Sequence, residues 1–308
     1  MALLRSTFIA LSKNRSLRRF TERSSVGTKL SSRFIAGMTI EDAVRVCEAV
    51  NKQGMAATLD SLGESVSEAG AAHRAADVYH KLLDAIEQKK LNANVSVKLT
   101  QMGLEVDRGL AERLAEKLTR HAASLSNFVR IDMEDSSLTQ VTMEIVRRIH
   151  SLGGLRGAIG IVIQAYLYRS QSDIEQLVTE GIRVRLCKGA YKEPSEVAFP
   201  RKADVDANYV KLSKLLLDSS TYHGLATHDE KMIVAAKAYA RERGIANDHF
   251  EFQMLYGVRR DLQRDLIKEG FRVRVYVPFG SEWYPYFMRR LAERPANVFF
   301  IAKNLLRK

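Results

Sequence analysis

In the stretch "WYPYFMRRLAERPAN" (283–297), Tyr286, Arg289, Arg290 and Glu293 stand at i, i+3, i+4 and i+7, the spacing of one helix face. That spacing ordinarily carries a buried apolar stripe. Here it carries a phenol, two cations and a carboxylate, so the face is either solvated or turned toward an anion. Other groups able to do chemistry lie at the ends of short apolar runs: Glu64, Lys98, Asp132-Met133, Gln164, Arg185 with Lys188-Gly189-Ala190, Thr227-His228, Gln253, Leu255 and Tyr276. Taken singly, each has an ordinary structural role. A strand lysine or arginine reaches past its neighbours to solvent, an aspartate caps a turn, and a histidine completes a hydrogen bond. Their recurrence at the same end of successive runs argues for a shared site.

Those runs are the elements that must position the groups. The expected strands are 56–63, 94–100, 127–133, 157–166, 182–190, 224–229, 250–255 and 271–279, each β-branched or apolar in composition. Between them lie helical patterns at 66–89, 111–125, 138–153, 204–218, 231–243 and 259–269. Strand–helix alternation implies parallel strands with crossover helices, and eight units imply a closed (β/α)8 TIM-like barrel, an α/β fold. Residues 1–53 read as an additional N-terminal helical segment and 54–308 as the barrel. A doubly wound nucleotide-binding sheet is disfavoured, because no G-x-G-x-x-G joins the first strand to its helix. In a barrel, active residues belong at the C-terminal strand ends and the loops that follow them. The residues named above lie there.

The 308 residues are 46% hydrophobic and 27% charged, ordinary for a globular chain. No apolar run approaches the ~20 residues of a membrane-spanning helix. Cys47 and Cys187 are the only cysteines and have no metal-ligand spacing, so no metal is expected and a reducing, cytoplasmic compartment fits. The net charge of +12 is densest at the start, where Arg5, Lys13, Arg15, Arg18 and Arg19 precede the first acid, Glu22. With Leu3, Leu4, Phe8, Ile9 and Leu11 interleaved, this end suits peripheral contact with an anionic membrane. The same composition marks mitochondrial targeting peptides, and a basic helix packed on the domain is a third reading. Nucleic acid is not expected, since the remaining basic residues are dispersed among acids.

Several long motifs in order, "VSVKLTQMGLEVD", "VRIDMEDS", "RVRLCKGAYKEP", "LATHDEKMI", "FQMLYGVR" and "YVPFGSEWYPYFMRRLAERPAN", resemble the proline dehydrogenase family, in its short monofunctional bacterial form. The resemblance runs from about "LRRFTERSSVGTKLSSRFIAG" to the C-terminus. It implies a distorted (β/α)8 barrel preceded by helices, and FAD as cofactor. The implied reaction is oxidation of L-proline to 1-pyrroline-5-carboxylate, with electrons passed to membrane quinone. Residue by residue, the resemblance implies that Lys98, Arg289 and Arg290 hold the substrate carboxylate and that Asp132 and Arg185 form the active-site pair. Tyr276, Tyr286 and Leu255 would line the proline ring. Met133, Gln164, Lys188, Gly189, Ala190, Thr227 and His228 would contact FAD, and Glu293 its ribose. Glu64 is a candidate latch on Arg289 when the site is empty.

A hydroxyproline-preferring relative fits the same motifs. A barrel enzyme for phosphorylated sugars would instead need glycine-rich loops after strands 7 and 8. Only "LYGVRR" and the tryptophan–tyrosine turn stand there. A non-catalytic basic binding module is the remaining class and would be colourless.

Overall fold

Why the strands close is visible in their period-two pattern. The computed structural model describes residues 32–284 and 286–288. In chain order it runs α1 (Ile40–Asn51), β1 (Ala56–Ser61), α2 (Ala69–Gln88), β2 (Ala93–Val97), α3 (Arg108–Ser124), β3 (Val129–Ile131) and α4 (Thr139–Ser151). It continues with β4 (Ile159–Gln164), α5 (Ser170–Thr179), β5 (Arg183–Cys187), α6 (Lys202–Leu217), β6 (Gly224–Ala226), α7 (Glu230–Glu242), β7 (Glu251–Leu255), α8 (Arg260–Lys268) and β8 (Arg272–Phe279). Each strand pairs in parallel with the next, and β8 pairs back on β1.

The eight-stranded barrel expected from the alternation is therefore present, with shorter strands. The stretch 224–229 pairs only over Gly224–Ala226, because the backbone beyond leaves the ladder to form the mouth. One crossover helix, α5, was not among the expected patterns. Its N-terminal half, "SQSD", is polar, and its buried apolar contribution reduces to Ile174 and Leu177, too little periodicity to stand out.

The core is a shell between barrel and helices. Residues such as Leu59, Val95, Val97, Ile131, Val184 and Val275 point outward and are fully or almost fully buried against helix residues such as Leu82, Leu118, Ile149 and Leu212. Most of the alternate residues, which point inward, are polar. That these face the lumen follows from bonds between strands that are not neighbours: Arg185 on β5 reaches Ser96 on β2, Nη1 to Oγ 3.2 Å, and Arg274 on β8 reaches Asn94 on β2, Nη1 to Oδ1 2.9 Å. Buried polar atoms are tolerated only when paired, and this lumen is bonded across its width.

One buried histidine should make the fold acid-sensitive. His223 accepts the Val184 N–H on Nδ1 at 3.0 Å, so its proton sits on Nε2 beside Ser219 Oγ, 3.2 Å away. A second proton on Nδ1 would meet that N–H. Burial first, then Arg130, His249 and Arg183, push its pKa down to about 3. The unfolded chain, with a histidine near ~6.5, binds this proton first. Stability should therefore be full above about 6.5 and fall as pH drops toward 3. In His223→Asn, whose carbonyl can still accept from Val184, the slope of melting temperature against pH over that window should flatten. An unchanged slope would assign the acid sensitivity elsewhere.

Candidate active site

The C-terminal ends of β1, β2, β3, β5 and β8 bring five ionisable groups together. Asp132, just past β3, is the hub. Its Oδ1 accepts from Ser96 Oγ at 2.6 Å and from Arg185 Nη1 at 2.9 Å, and its Oδ2 accepts from the Tyr276 hydroxyl at 2.8 Å. The Arg185 guanidinium also lies over the Tyr276 ring, 5.2 Å from its centroid. Burial, and then the neighbouring Asp132 and Asp60, hold the Tyr276 phenol well above its ordinary range, so it stays a donor.

Lys98, just past β2, places Nζ 3.7 Å from Asp60 and 3.9 Å from Asp132. Burial works against its charge, but the two carboxylates, with Glu64 and Tyr191 behind them, outweigh it and raise the pKa above the usual lysine range. Neither distance is a hydrogen bond. The ammonium is held by charge, between two acids.

Asp60, 1% exposed on β1, was not picked out from sequence. Burial pushes its carboxyl pKa up against the pull of Lys98. Its neighbours include Tyr79, hydroxyl to Oδ1 3.3 Å. The signal that could have found it is parity: Thr58 and Asp60 alternate with Ala57 and Leu59, just as Ser96 and Lys98 alternate with Val95 and Val97. Gln253, noted only as lying near a strand end, also proves to be inside, with its Oε1 accepting from Arg185 Nε.

A second group of residues surrounds this cluster. Gln164 donates Nε2 to the carbonyls of Met133 and Glu134, each at 3.2 Å, while its buried Oε1 has no hydrogen-bond partner. Thr227 Oγ1 accepts from Asp229 N at 3.1 Å, and His228 Nε2 accepts the Leu255 N–H at 2.9 Å, so a neutral His228 carries its proton on Nδ1. Lys188 turns its ammonium toward the helices, onto Asp206 and Asp229, at 2.5 and 2.8 Å. Gly189, at φ +109°, leaves no room for a Cβ, which would come within 2.5 Å of the Tyr166 ring. Ala190 is exposed.

The structure thus joins Lys98, Asp132, Arg185 and Tyr276 in one network, with Gln164 and Met133 joined beside it, and His228, which with Thr227 lies just past β6, bonded to Leu255 at the end of β7. Tyr286 is buried in a separate apolar cluster with Phe34, Leu62, Trp283 and Phe287. Glu64 is exposed. Arg289, Arg290 and Glu293, and with them the carboxylate clamp and the proposed latch, lie outside the described residues. Among the described residues, no cluster of three or more His, Cys, Asp or Glu could hold a metal ion, and no helix is long and apolar enough to cross a membrane.

A sequence model of the family described as "Proline dehydrogenase" matches residues 43–303. The chain belongs to the proline dehydrogenase family. It is 42% identical over 307 residues to Proline dehydrogenase 1 of Bacillus subtilis (strain 168), covering 99% of this chain and 100% of that one. It is also 42% identical over 283 residues to the Proline dehydrogenase of Deinococcus radiodurans, covering 90% of each. With family membership the chain is an enzyme, an oxidoreductase of proline catabolism. Among solved structures, proline utilization A (PutA) from Bdellovibrio bacteriovorus, inactivated by N-propargylglycine, superposes with TM-score 0.83 at 26% identity. That match covers 92% of this chain and 34% of the PutA chain, so this chain spans about a third of that longer protein. The closed eight-stranded barrel is thus the fold that this solved structure shares.

Proposed function

We propose that this enzyme oxidises L-proline to 1-pyrroline-5-carboxylate with FAD as cofactor, taking hydride from ring C5. The carrying observation is the network at the mouth: one carboxylate, Asp132, fixes Arg185 and Tyr276, while Lys98 keeps a charge that no direct hydrogen bond to either acid consumes. A buried substrate carboxylate is costly unless paired, and Lys98 is built to pair with one. Arg289 and Arg290 would grip it from the other side. Tyr276, Tyr286 and Leu255 would wall the ring.

FAD suits the residues present. The orphaned Oε1 of Gln164 is a buried acceptor in need of an N–H, which a flavin ring edge carries. Met133, Gln164, the Lys188–Ala190 turn, Thr227, His228 and Glu293 would hold the cofactor. When bound, FAD supplies the hydride acceptor, N5. The protein's part is orientation, where a displacement of about 1 Å can cost ~10²-fold, and charge, with Arg185 favouring anionic character at the reacting edge. The proline amine must be neutral before hydride leaves, so activity should rise with pH. The purified protein should be yellow and should bleach anaerobically with L-proline more readily than with trans-4-hydroxy-L-proline. A colourless protein, or bleaching by hydroxyproline alone, would refute this assignment.

Membrane quinone is the proposed electron acceptor, with the enzyme in the cytoplasm and peripheral on the inner membrane face. If the N-terminus is a targeting peptide, the compartment is mitochondrial instead. The basic composition of residues 1–20 supports membrane contact. Deleting them should weaken binding to anionic liposomes and slow quinone reduction, with the rate of flavin reduction by proline unchanged. Undiminished liposome binding would remove this segment's role.

A further inference from the structure

Arg185 is held at both ends of its guanidinium. Nη1 is held by Asp132 and Ser96, and Nε donates to Gln253 Oε1. The second contact depends on which way the Gln253 amide faces, and a buried neighbour decides that. Gln253 Nε2 donates to Glu251 Oε1 at 2.5 Å, and Glu251 in turn accepts from Arg274 Nε at 2.7 Å and from the Tyr222 hydroxyl at 3.0 Å. Burial works against the Glu251 charge, but Arg274 leads the contacts that outweigh it and hold its pKa below the usual range. An ionised carboxylate only accepts. A flipped Gln253 would set oxygen against oxygen at Glu251 and N–H against N–H at Arg185, leaving buried groups unpaired.

Room for this side chain comes from the neighbouring strand. Gly224 pairs with Glu251 on one side and Arg185 on the other. A Cβ there would stand 2.3 Å from Gln253 Nε2 and 2.8 Å from Cδ. A glycine on β6 thus makes space for a glutamine on β7 to reach an arginine on β5.

We propose that Gln253, oriented by Glu251 and accommodated by Gly224, is a positioning residue for the reaction, setting the plane of the Arg185 guanidinium at the reacting centre. This rests on the reading of Arg185 as the charge beside that centre. Glu251 opens β7 and is paired with Arg274, so the relay ties the site to an ion pair nearer the N-terminal end of the barrel.

The test uses the flavin-loaded enzyme and four variants: Gln253→Met, Gly224→Ala, Arg185→Met and the Gln253→Met/Arg185→Met double. Gln253→Met keeps the length of the side chain and removes the acceptor. Its rate constant for flavin reduction by proline should fall about 10- to 100-fold with KM within about threefold. Exchange of the Arg185 Nε–H with solvent, followed by nitrogen-15 NMR, should accelerate at least about tenfold, a readout independent of turnover. In the Arg185→Met background, Gln253→Met should cost less than about twofold more, since both act through one group. Multiplying effects in the double variant, or an unaltered reduction rate in Gln253→Met, would overturn the proposal while leaving Arg185 in place. An Arg185→Met enzyme that reduces flavin normally would overturn the reading of the site itself. If Gln253→Met does not fold, Gly224→Ala answers alone. Faster Nε–H exchange together with slower flavin reduction supports the relay, and a folded variant unchanged in either overturns it.

Discussion

Lys98→Met is expected to lower kcat/KM for L-proline by about two to three orders of magnitude, mostly through KM. The reason lies in its two distances. At 3.7 and 3.9 Å from Asp60 and Asp132, Nζ is close enough to be held by charge and too far to be hydrogen-bonded to either. An entering carboxylate finds donors not committed to these acids. Truncating one partner of a buried charged pair costs roughly 2–5 kcal/mol, which corresponds to about 30- to several-thousandfold. Steady-state kinetics with Lys98→Arg as the charge-preserving control checks this, and a KM within twofold of the parent in Lys98→Met would sink it.

The same substitution should change the pH dependence of stability. Burial raises the Asp60 pKa in the folded protein, and Lys98 is its chief counterweight. Without Lys98 the folded Asp60 should hold its proton to still higher pH than the unfolded chain does. A carboxyl raised in this way contributes stability at low pH that is lost as pH rises through its folded pKa. The melting temperature of Lys98→Met relative to the parent should therefore decline as pH increases from the unfolded aspartate value, ~3.9, toward neutrality.

Asp132→Asn should have the second large effect. Asp132 accepts from Ser96, Arg185 and Tyr276 at once. An amide offers only one accepting oxygen: turned to Tyr276 it sets its NH2 against the donor-only Arg185, and turned to Arg185 it obliges the Tyr276 hydroxyl to accept instead of donate. With the carboxylate charge gone, Arg185 and Lys98 also lose the anion between them. Breaking a buried pair by removing one partner destabilises by about 3–5 kcal/mol, and the modest residual exposure of Asp132, 13% of its side chain, places the expectation at the lower end. For a chain of 308 residues that is a fall in melting temperature of roughly 5 °C. The rate of flavin reduction should drop about 10²-fold, because both Arg185 and Tyr276 lose their common anchor. Ordinary flavin reduction in a folded Asp132→Asn enzyme would contradict the role assigned to the hub.

How legible the site was depends on where each residue sits. Lys98, Asp132, Arg185 and Tyr276 could be picked out because a charge or phenol breaks an apolar run. Asp60 escaped because it lies inside the run "AATLDSLG", one position before the strand ends. Gln253 was visible as a residue but not as a contact, since its partners come from β5 and from its own strand two residues earlier. Lys188 shows the same limit. Its ammonium lies against Asp206 on α6 and Asp229 at the start of α7, contacts that could not be read from sequence because neither adjoins it there.

What the sequence determined by itself was the alternation. Period-two runs separated by amphipathic helices require parallel strands, and eight of them close, because a twisted parallel sheet of that length leaves no edge when its ends meet. It also determined which residues share the inward parity, since side chains alternate strictly along a strand. The tertiary structure decided which inward residues meet. Strand stagger sets the height of each side chain in the lumen, and only closure brings β5 within reach of β2, and β8 within reach of β3, across it. The bonds from Arg185 to Ser96 and from Tyr276 to Asp132 are products of that stagger, spanning 89 and 144 residues of chain. A charge inside a barrel must be answered by another, and closure selected the one within reach.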